Sequence, residues 1–245
     1  MLLLVILLLC SLALAERSRY AQSISLIRDW IPMALTLVAF REMELFVPLV
    51  YNSGFERVWI RWDEIVLGNW GLKSLIESFG PLLTSYLELC YLLVYGVGSF
   101  CVLMLWVKAK RQSVDCFYVI LLTGTLLAYG LFPFFPSRPP RIAFPGVGLP
   151  ATHDVFRRLN LFLLKRATIH SSVFPSAHVS SAFSAAWAMF LLLPQQKRVG
   201  WGLLVFAFSV SVATIYGRYH YAADAVAGFA ISLIAGLLCL LLRQK

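Results

Sequence analysis

Five stretches, Leu82–Val107, Cys116–Phe135, Val173–Leu193, Val199–Tyr216 and Ala222–Leu242, each come close to the run of apolar residues that carries a helix across a bilayer. Inside hydrocarbon a backbone satisfies its own N–H and C=O groups only as a helix or a closed barrel, and runs of this length read as helices. The expected fold is therefore all-α, a polytopic transmembrane helix bundle. A sixth stretch, Trp30–Tyr51, is weaker, because Arg41, Glu42 and Glu44 interrupt it beside Pro48; an Arg41–Glu44 pair at i,i+3 would offset part of their cost. Met1–Ala15 is also apolar and ends in Ala13-Leu14-Ala15, similar to a signal-peptidase site, yet no Lys or Arg precedes it. We take it as a short retained helix, which makes six to seven spans.

The composition agrees: 60% hydrophobic and 13% charged residues exclude a soluble domain. The net charge of +9 suits anionic lipid headgroups and orientation by cytoplasmic positive charge. Nucleic acid is excluded as a partner because the basic residues lie between apolar spans. Cys10, Cys90, Cys101, Cys116 and Cys239 sit in apolar runs without CxxC spacing, so they read as small hydrophobes rather than as disulfides or metal ligands.

Three segments organise the chain: residues 1–15 as the apolar N-terminal helix or signal peptide, 16–81 as the weak span plus an interfacial segment, and 82–245 as the membrane domain. Between Asn52 and Gly80, Trp59, Trp62 and Trp70 alternate with Arg57, Arg61, Asp63, Glu64 and Lys73, the pattern of amphipathic helices at a membrane surface. Lys108, Lys110 and Arg111, then Lys197 and Arg198, then Arg243 and Lys245 fall on one face of the hairpins, which the positive-inside rule makes cytoplasmic. The opposite face then carries Pro136–Ser172, the helix start at His178 and the turn at His220. Six basic residues of that long segment, Arg138, Arg141, Arg157, Arg158, Lys165 and Arg166, against Asp154 alone run counter to the rule.

Two motifs bring ionisable groups to the ends of apolar runs, where function is the default explanation: Phe174-Pro175-Ser176-Ala177-His178 and Gly217-Arg218-Tyr219-His220-Tyr221-Ala222-Ala223-Asp224. His220 and Asp224, four apart, share a helix face, so the carboxylate can hold one ring nitrogen protonated while the other acts as a nucleophile. Ser176 is an expected N-cap, and the amides of that first turn form an anion site. His178, in the same turn, can protonate a leaving alkoxide. Arg138 and Arg141, in Ser137-Arg138-Pro139-Pro140-Arg141, can fork onto phosphate oxygens from a segment that the prolines hold extended.

Phe-Pro-Ser-x-His followed by a hairpin to His-x-x-x-Asp resembles the second and third motifs of the type 2 phosphatidic acid phosphatase and vanadium haloperoxidase superfamily. With Tyr-His-Tyr-x-x-Asp and a Pro-Pro-Arg loop it is most similar to the branch of inositol phosphorylceramide synthases. The resemblance covers residues 82 to 242. It implies a phosphatidic acid phosphatase type 2-like core, His220 as the phosphohistidine-forming nucleophile, Asp224 as its orienting partner and His178 as general acid. It further implies that Ser176 with the adjoining amides and an arginine of the Pro-Pro-Arg segment hold the phosphate, and that no metal or other cofactor is required. The phosphatase pattern's lysine before the first-motif arginine falls here on Leu131, and its Ser-Arg pair before the histidine on Ala213-Thr214. Arg141 and Arg218 are the candidates to replace those cations.

The expected activity is cleavage of a phosphoester of a lipid-linked phosphate at the extracytoplasmic face, with water or a second alcohol as acceptor. Two other classes stand beside it: a non-catalytic lipid-phosphate binding or transport protein, and a metal site of His178, His220 and Asp224. His153 and His170 read as exposed loop residues, Arg157, Arg158, Lys165 and Arg166 as a headgroup-facing surface, and Gly217 and Gly228 as a turn and a close helix contact. Oligomeric state is not encoded in any of these features.

Overall fold

Each of the five long apolar runs is helical in the computed structural model, which describes residues 21–48, 53–151, 153–167, 169 and 172–243. The expectations for residues 1–15, His170 and Lys245 lie outside the described residues. The helices, in chain order, are α1 (Ala21–Glu42), α2 (Ser53–Asp63), α3 (Leu72–Ser78), α4 (Pro81–Leu93), α5 (Val97–Val107) and α6 (Val114–Leu131). They continue as α7 (Pro140–Ala143), α8 (Val155–Ala167), α9 (Ala177–Leu192), α10 (Lys197–Tyr216) and α11 (Ala222–Arg243), with no strand among the described residues. Four stretches, Ser23–Leu45, Pro81–Val107, Arg111–Phe134 and Pro194–Tyr216, are long and apolar enough to cross a membrane, and Ala177–Leu192 and Ala222–Leu238 are shorter apolar helices. The protein is an all-helical integral membrane protein.

Helix α9 is the central element, packed against α6, α10 and α11. Small residues let these backbones approach. A Cβ at Gly124 of α6 would run into the Ser184 hydroxyl, and the Ser180 hydroxyl donates to the Gly124 carbonyl at 2.9 Å. Leu105, Val114, Leu193 and Val199 belong to one apolar cluster, so the basic loops after α5 and after α9 share one end of the bundle.

Helix α1 starts before the expected Trp30 and stops at the expected charges, Arg41 and Glu42. Its first end is fixed to the α5–α6 loop: Arg111 Nε meets the buried Asp29 carboxylate at 2.6 Å, and the Tyr118 hydroxyl donates to the Asp29 carbonyl at 2.7 Å. Its other end packs Phe40 against Tyr129 and Phe132. The expected span at Leu82–Val107 is broken by a 3-10 turn at Val94–Gly96. The expected span at Val173 becomes helical only at Ala177, because Ser176 is still extended.

The proline-rich segment departs from its expected extended form after Pro139. Pro140 begins a single helical turn, since its fixed φ and missing N–H suit a first helical position. Helix α2 is amphipathic as expected, but its inward stripe carries two buried carboxylates, Glu56 and Asp63, beside Trp59 and Ile60. Trp59 stacks on Phe174 at 4.7 Å and meets Tyr221 at 5.6 Å, which wedges α2 between the two histidine motifs.

Candidate active site

His178 opens α9 and His220 sits in the turn between α10 and α11, 42 positions later, yet their ring centroids are 5.8 Å apart and nearly perpendicular. Backbone contacts bring the motifs together: the Ser176 amide donates to the Asp224 carbonyl at 3.0 Å. Gly228, one turn further along α11, lies so close to α9 that a Cβ there would collide with the Ser176 carbonyl oxygen. Gly217 is equally confined, because a Cβ would meet the Tyr219 ring and the Ala213 carbonyl.

The His220 Nδ1 lies 3.0 Å from the Val173 carbonyl oxygen and 3.2 Å from Asp224 Oδ2. A carbonyl can only accept, so Nδ1 carries the proton and Nε2 keeps its lone pair. Burial pushes the His220 imidazole below its ordinary range, the Arg141 charge adds to that, and the Val173 hydrogen bond opposes both. The ring is therefore held neutral with one nitrogen free to attack. Asp224 Oδ2 also accepts the Tyr221 amide at 2.9 Å. His178 meets the edges or faces of Tyr91 and Tyr95 at 5.3 and 5.0 Å.

Both imidazoles line a cavity of about 590 Å³, and Arg141 lines it with them. Arg141 lies 5.7 Å from the Tyr219 ring centroid, and its amide donates to the Arg218 carbonyl at 3.3 Å, which joins the α7 turn to the His220 turn. Burial lowers the Arg141 pKa from its ordinary value. An anion entering the cavity meets this guanidinium and both histidines.

The other expected phosphate ligands are set back. Arg138 is gripped by Glu56 of α2, with its amide 2.8 Å from Oε1 and its Nη2 3.2 Å from Oε2, and it does not line the cavity. Arg218 is buried against Asp63 of α2, again away from the cavity lining. Ser176 caps α9 as expected, its hydroxyl accepting the Val179 amide at 3.4 Å. Among the described residues no three His, Cys, Asp or Glu side chains are arranged to hold a metal ion; Asp224 faces His220 Nδ1 instead of a shared centre.

A second polar layer supports the site, and sequence reasoning missed it. Glu88 of α4 receives Arg157 Nη1 at 2.8 Å, Asn160 Nδ2 at 2.8 Å and the Tyr219 hydroxyl at 2.5 Å. Arg157, expected at a headgroup-facing surface, is instead 5% exposed and also reaches the Gly217 carbonyl at 3.4 Å. A guanidinium taken out of water needs a carboxylate partner to offset its desolvation, and Glu88 supplies one to Arg157, whereas Arg158, Lys165 and Arg166 stay exposed. The signal was available in Glu88, a carboxylate in the middle of an apolar run. Glu56 and Asp63 offered a subtler one, two acids seven apart on the Trp59 stripe of an amphipathic helix.

A model of the family described as the PAP2 superfamily matches residues 60–238, most of the chain. A 64-residue segment is 36% identical to the bacitracin transport permease protein BcrC of Bacillus licheniformis, covering 26% of this chain and 30% of that protein. The match thus spans less than a third of that relative's length. Among solved structures, the crystal structure of Aquifex aeolicus LpxE superposes with a TM-score of 0.53 at 24% identity, over 71% of this chain and 94% of that one. That likeness is one of fold.

Proposed function

The chain belongs to the PAP2 superfamily, and from that premise we propose that it is a membrane-embedded, metal-independent lipid phosphatase acting through a phosphohistidine. The observation that carries the proposal is the pair of imidazoles, 5.8 Å apart, lining one cavity with Arg141. The neutral His220 Nε2 attacks phosphorus, the bond from phosphorus to the lipid oxygen breaks, and His178, entering the step as the imidazolium, gives one ring proton to the departing alkoxide and is left neutral. In the second half His178 takes a proton from water as the water oxygen attacks phosphorus, which frees His220 and releases phosphate.

Arg141 balances the charge on the phosphate oxygens from within the cavity, and the first-turn amides of α9 beyond the Ser176 cap add donors. Asp224 keeps His220 in the productive tautomer. Arg138 and Arg218, tied to Glu56 and Asp63, hold the walls of the phosphate site. The basic loops after α5 and α9 support a cytoplasmic assignment for their end of the bundle, so the histidines open to the extracytoplasmic face.

A second alcohol in place of water would make the same site a phosphotransferase, as the resemblance to inositol phosphorylceramide synthases implies. The test uses the purified full chain with a lipid phosphate labelled at phosphorus, quenched in alkaline denaturant during turnover. An acid-labile labelled protein and free labelled phosphate are expected, and label on an added lipid alcohol would make the enzyme a transferase. No phosphate release from the wild-type chain, with lipid-phosphate binding kept by His220→Ala, would overturn the catalytic reading in favour of a transport protein of this fold, the function that the name of the BcrC relative describes.

A further inference from the structure

We propose that the cavity running from the two histidines along α1 seats the apolar chain of the lipid phosphate, and that α1 determines which chains fit. This rests on reading the histidine pair as the phosphate site. The volume of about 590 Å³ lies within the range of roughly 300–1,000 Å³ common to ligand pockets. Its polar groups gather mainly at the end formed by His178, His220 and Arg141. Away from that end the walls are mostly apolar, with Trp30, Met33, Leu37 and Phe40 from α1 facing Val97 and Leu121 from α5 and α6 and with the hydroxyl residues Thr36, Ser99 and Thr125 between them.

The depth matches a lipid tail. At about 1.5 Å per residue, the helix between Phe40 and Trp30 covers roughly 15 Å, half of a hydrocarbon core about 30 Å thick. A chain entering beside the histidines would thus run along α1 towards the end of the bundle that carries the α5–α6 loop. With C–C bonds of about 1.5 Å at angles near 111°, roughly twelve carbons fill that length. Trp30 lies at the deep end and meets Trp106 edge-on at 6.0 Å, with the Arg111 guanidinium 4.7 Å from the Trp106 ring centroid. The anchored end of α1 therefore forms a floor.

One residue keeps the groove open. A Cβ at Gly98 would collide with the Met33 sulfur, so Met33 lies down against α5 only because that position has no side chain. Helix α1 also precedes residue 60, where the family match begins, whereas α6, α9, α10 and most of α11 fall within it. The chemistry of the head belongs to the shared part of the molecule. The α1 wall that meets the tail lies outside the matched region.

The test uses single-chain alkyl phosphonates, whose C–P bond resists hydrolysis, carrying a photoreactive group near carbon four, eight or twelve. Crosslinks on the purified full chain are expected to move from Phe40 to Leu37 and then to Met33 or Trp30 as the group moves outward. Excess unlabelled phosphonate should suppress them, and an alkyl alcohol of equal length should not. In parallel, Leu37→Trp should raise KM for dodecyl phosphate at least tenfold while kcat/KM for butyl phosphate stays within twofold, and Gly98→Ala should shift the same preference by pushing Met33 into the groove. Equal suppression by the alcohol, or crosslinks without depth order, would overturn the proposal and leave a groove filled by bulk lipid. An ordered ladder with no phosphate release from any lipid phosphate would uphold the chain site and sink the phosphatase reading. Phosphate release without a ladder would do the reverse.

Discussion

Asp63 braces the turn of His220 through Arg218: one carboxylate oxygen takes the Arg218 guanidinium, and the other accepts the Ala222 amide at 2.7 Å. One side chain from α2 therefore holds the Arg218 side chain before the candidate nucleophile and the Ala222 backbone after it. Burial raises the Asp63 pKa, and the Arg218 charge and the Ala222 amide pull it back down, so the carboxylate depends on these partners as much as they depend on it. In the Asp63→Asn variant the acceptor for Ala222 survives and the ion pair does not. We expect kcat to fall at least about tenfold with KM within twofold, since an unbalanced buried cation displaces the turn. Arg218→Gln added to Asp63→Asn should cost less than the sum of the two single changes. Additive losses would show that the pair does not position His220.

Gly228 sets the spacing between the two histidine motifs. Gly228→Ala must move α11 off the Ser176 carbonyl, and overpacking of this kind costs about 1–3 kcal/mol. The expected result is a lower melting temperature together with a loss of turnover larger than that of Gly202→Ala, where a Cβ meets nothing within 4 Å. Equal behaviour of the two variants would mean that the contact does not govern the site.

General acid–base groups typically contribute about 10²- to 10⁴-fold in rate. His178→Ala and His220→Ala are each expected to lose at least about a hundredfold in kcat by that measure, and only His220→Ala should also abolish the trapped phosphoprotein. His153 is exposed, so His153→Ala should remain near wild type. Phosphate release should persist in strong chelator; loss on chelation and recovery with zinc would revive the metal site.

The buried network at Glu88 makes a separate prediction. Glu88→Gln keeps the shape but leaves Arg157 without its counter-charge, and breaking a buried pair costs about 3–5 kcal/mol. Denaturation should show that loss of stability, and Glu88→Gln combined with Arg157→Met should recover part of it. No recovery in the double variant would argue that Glu88 acts through Tyr219 instead, to which it is bonded at 2.5 Å.

Much of this molecule could be read along the chain. The apolar runs forced helices because a bilayer leaves a backbone few other ways to satisfy itself. The expected contact of His220 and Asp224 forms, although His220 lies in the turn before α11 and not on a shared helix face, and Ser176 announced its cap, because each of these is local. Helix boundaries were less legible where Val173 and Ser176 serve the site as extended backbone.

The sequence by itself determined the class of the fold, the two histidine motifs and the pairing of each with its near neighbours, since hydropathy and helical periodicity act over a few residues. Only the tertiary structure decided which arginine of the later segments faces, beside the histidines, the cavity that Arg41 of α1 also lines. Arg138, Arg157 and Arg218 meet the carboxylates of Glu56, Glu88 and Asp63 across separations of 69 to 155 residues, and Arg141 is left lining the cavity with the histidines. Charge pairing between distant elements depends on where helices dock, and no local pattern carries that information.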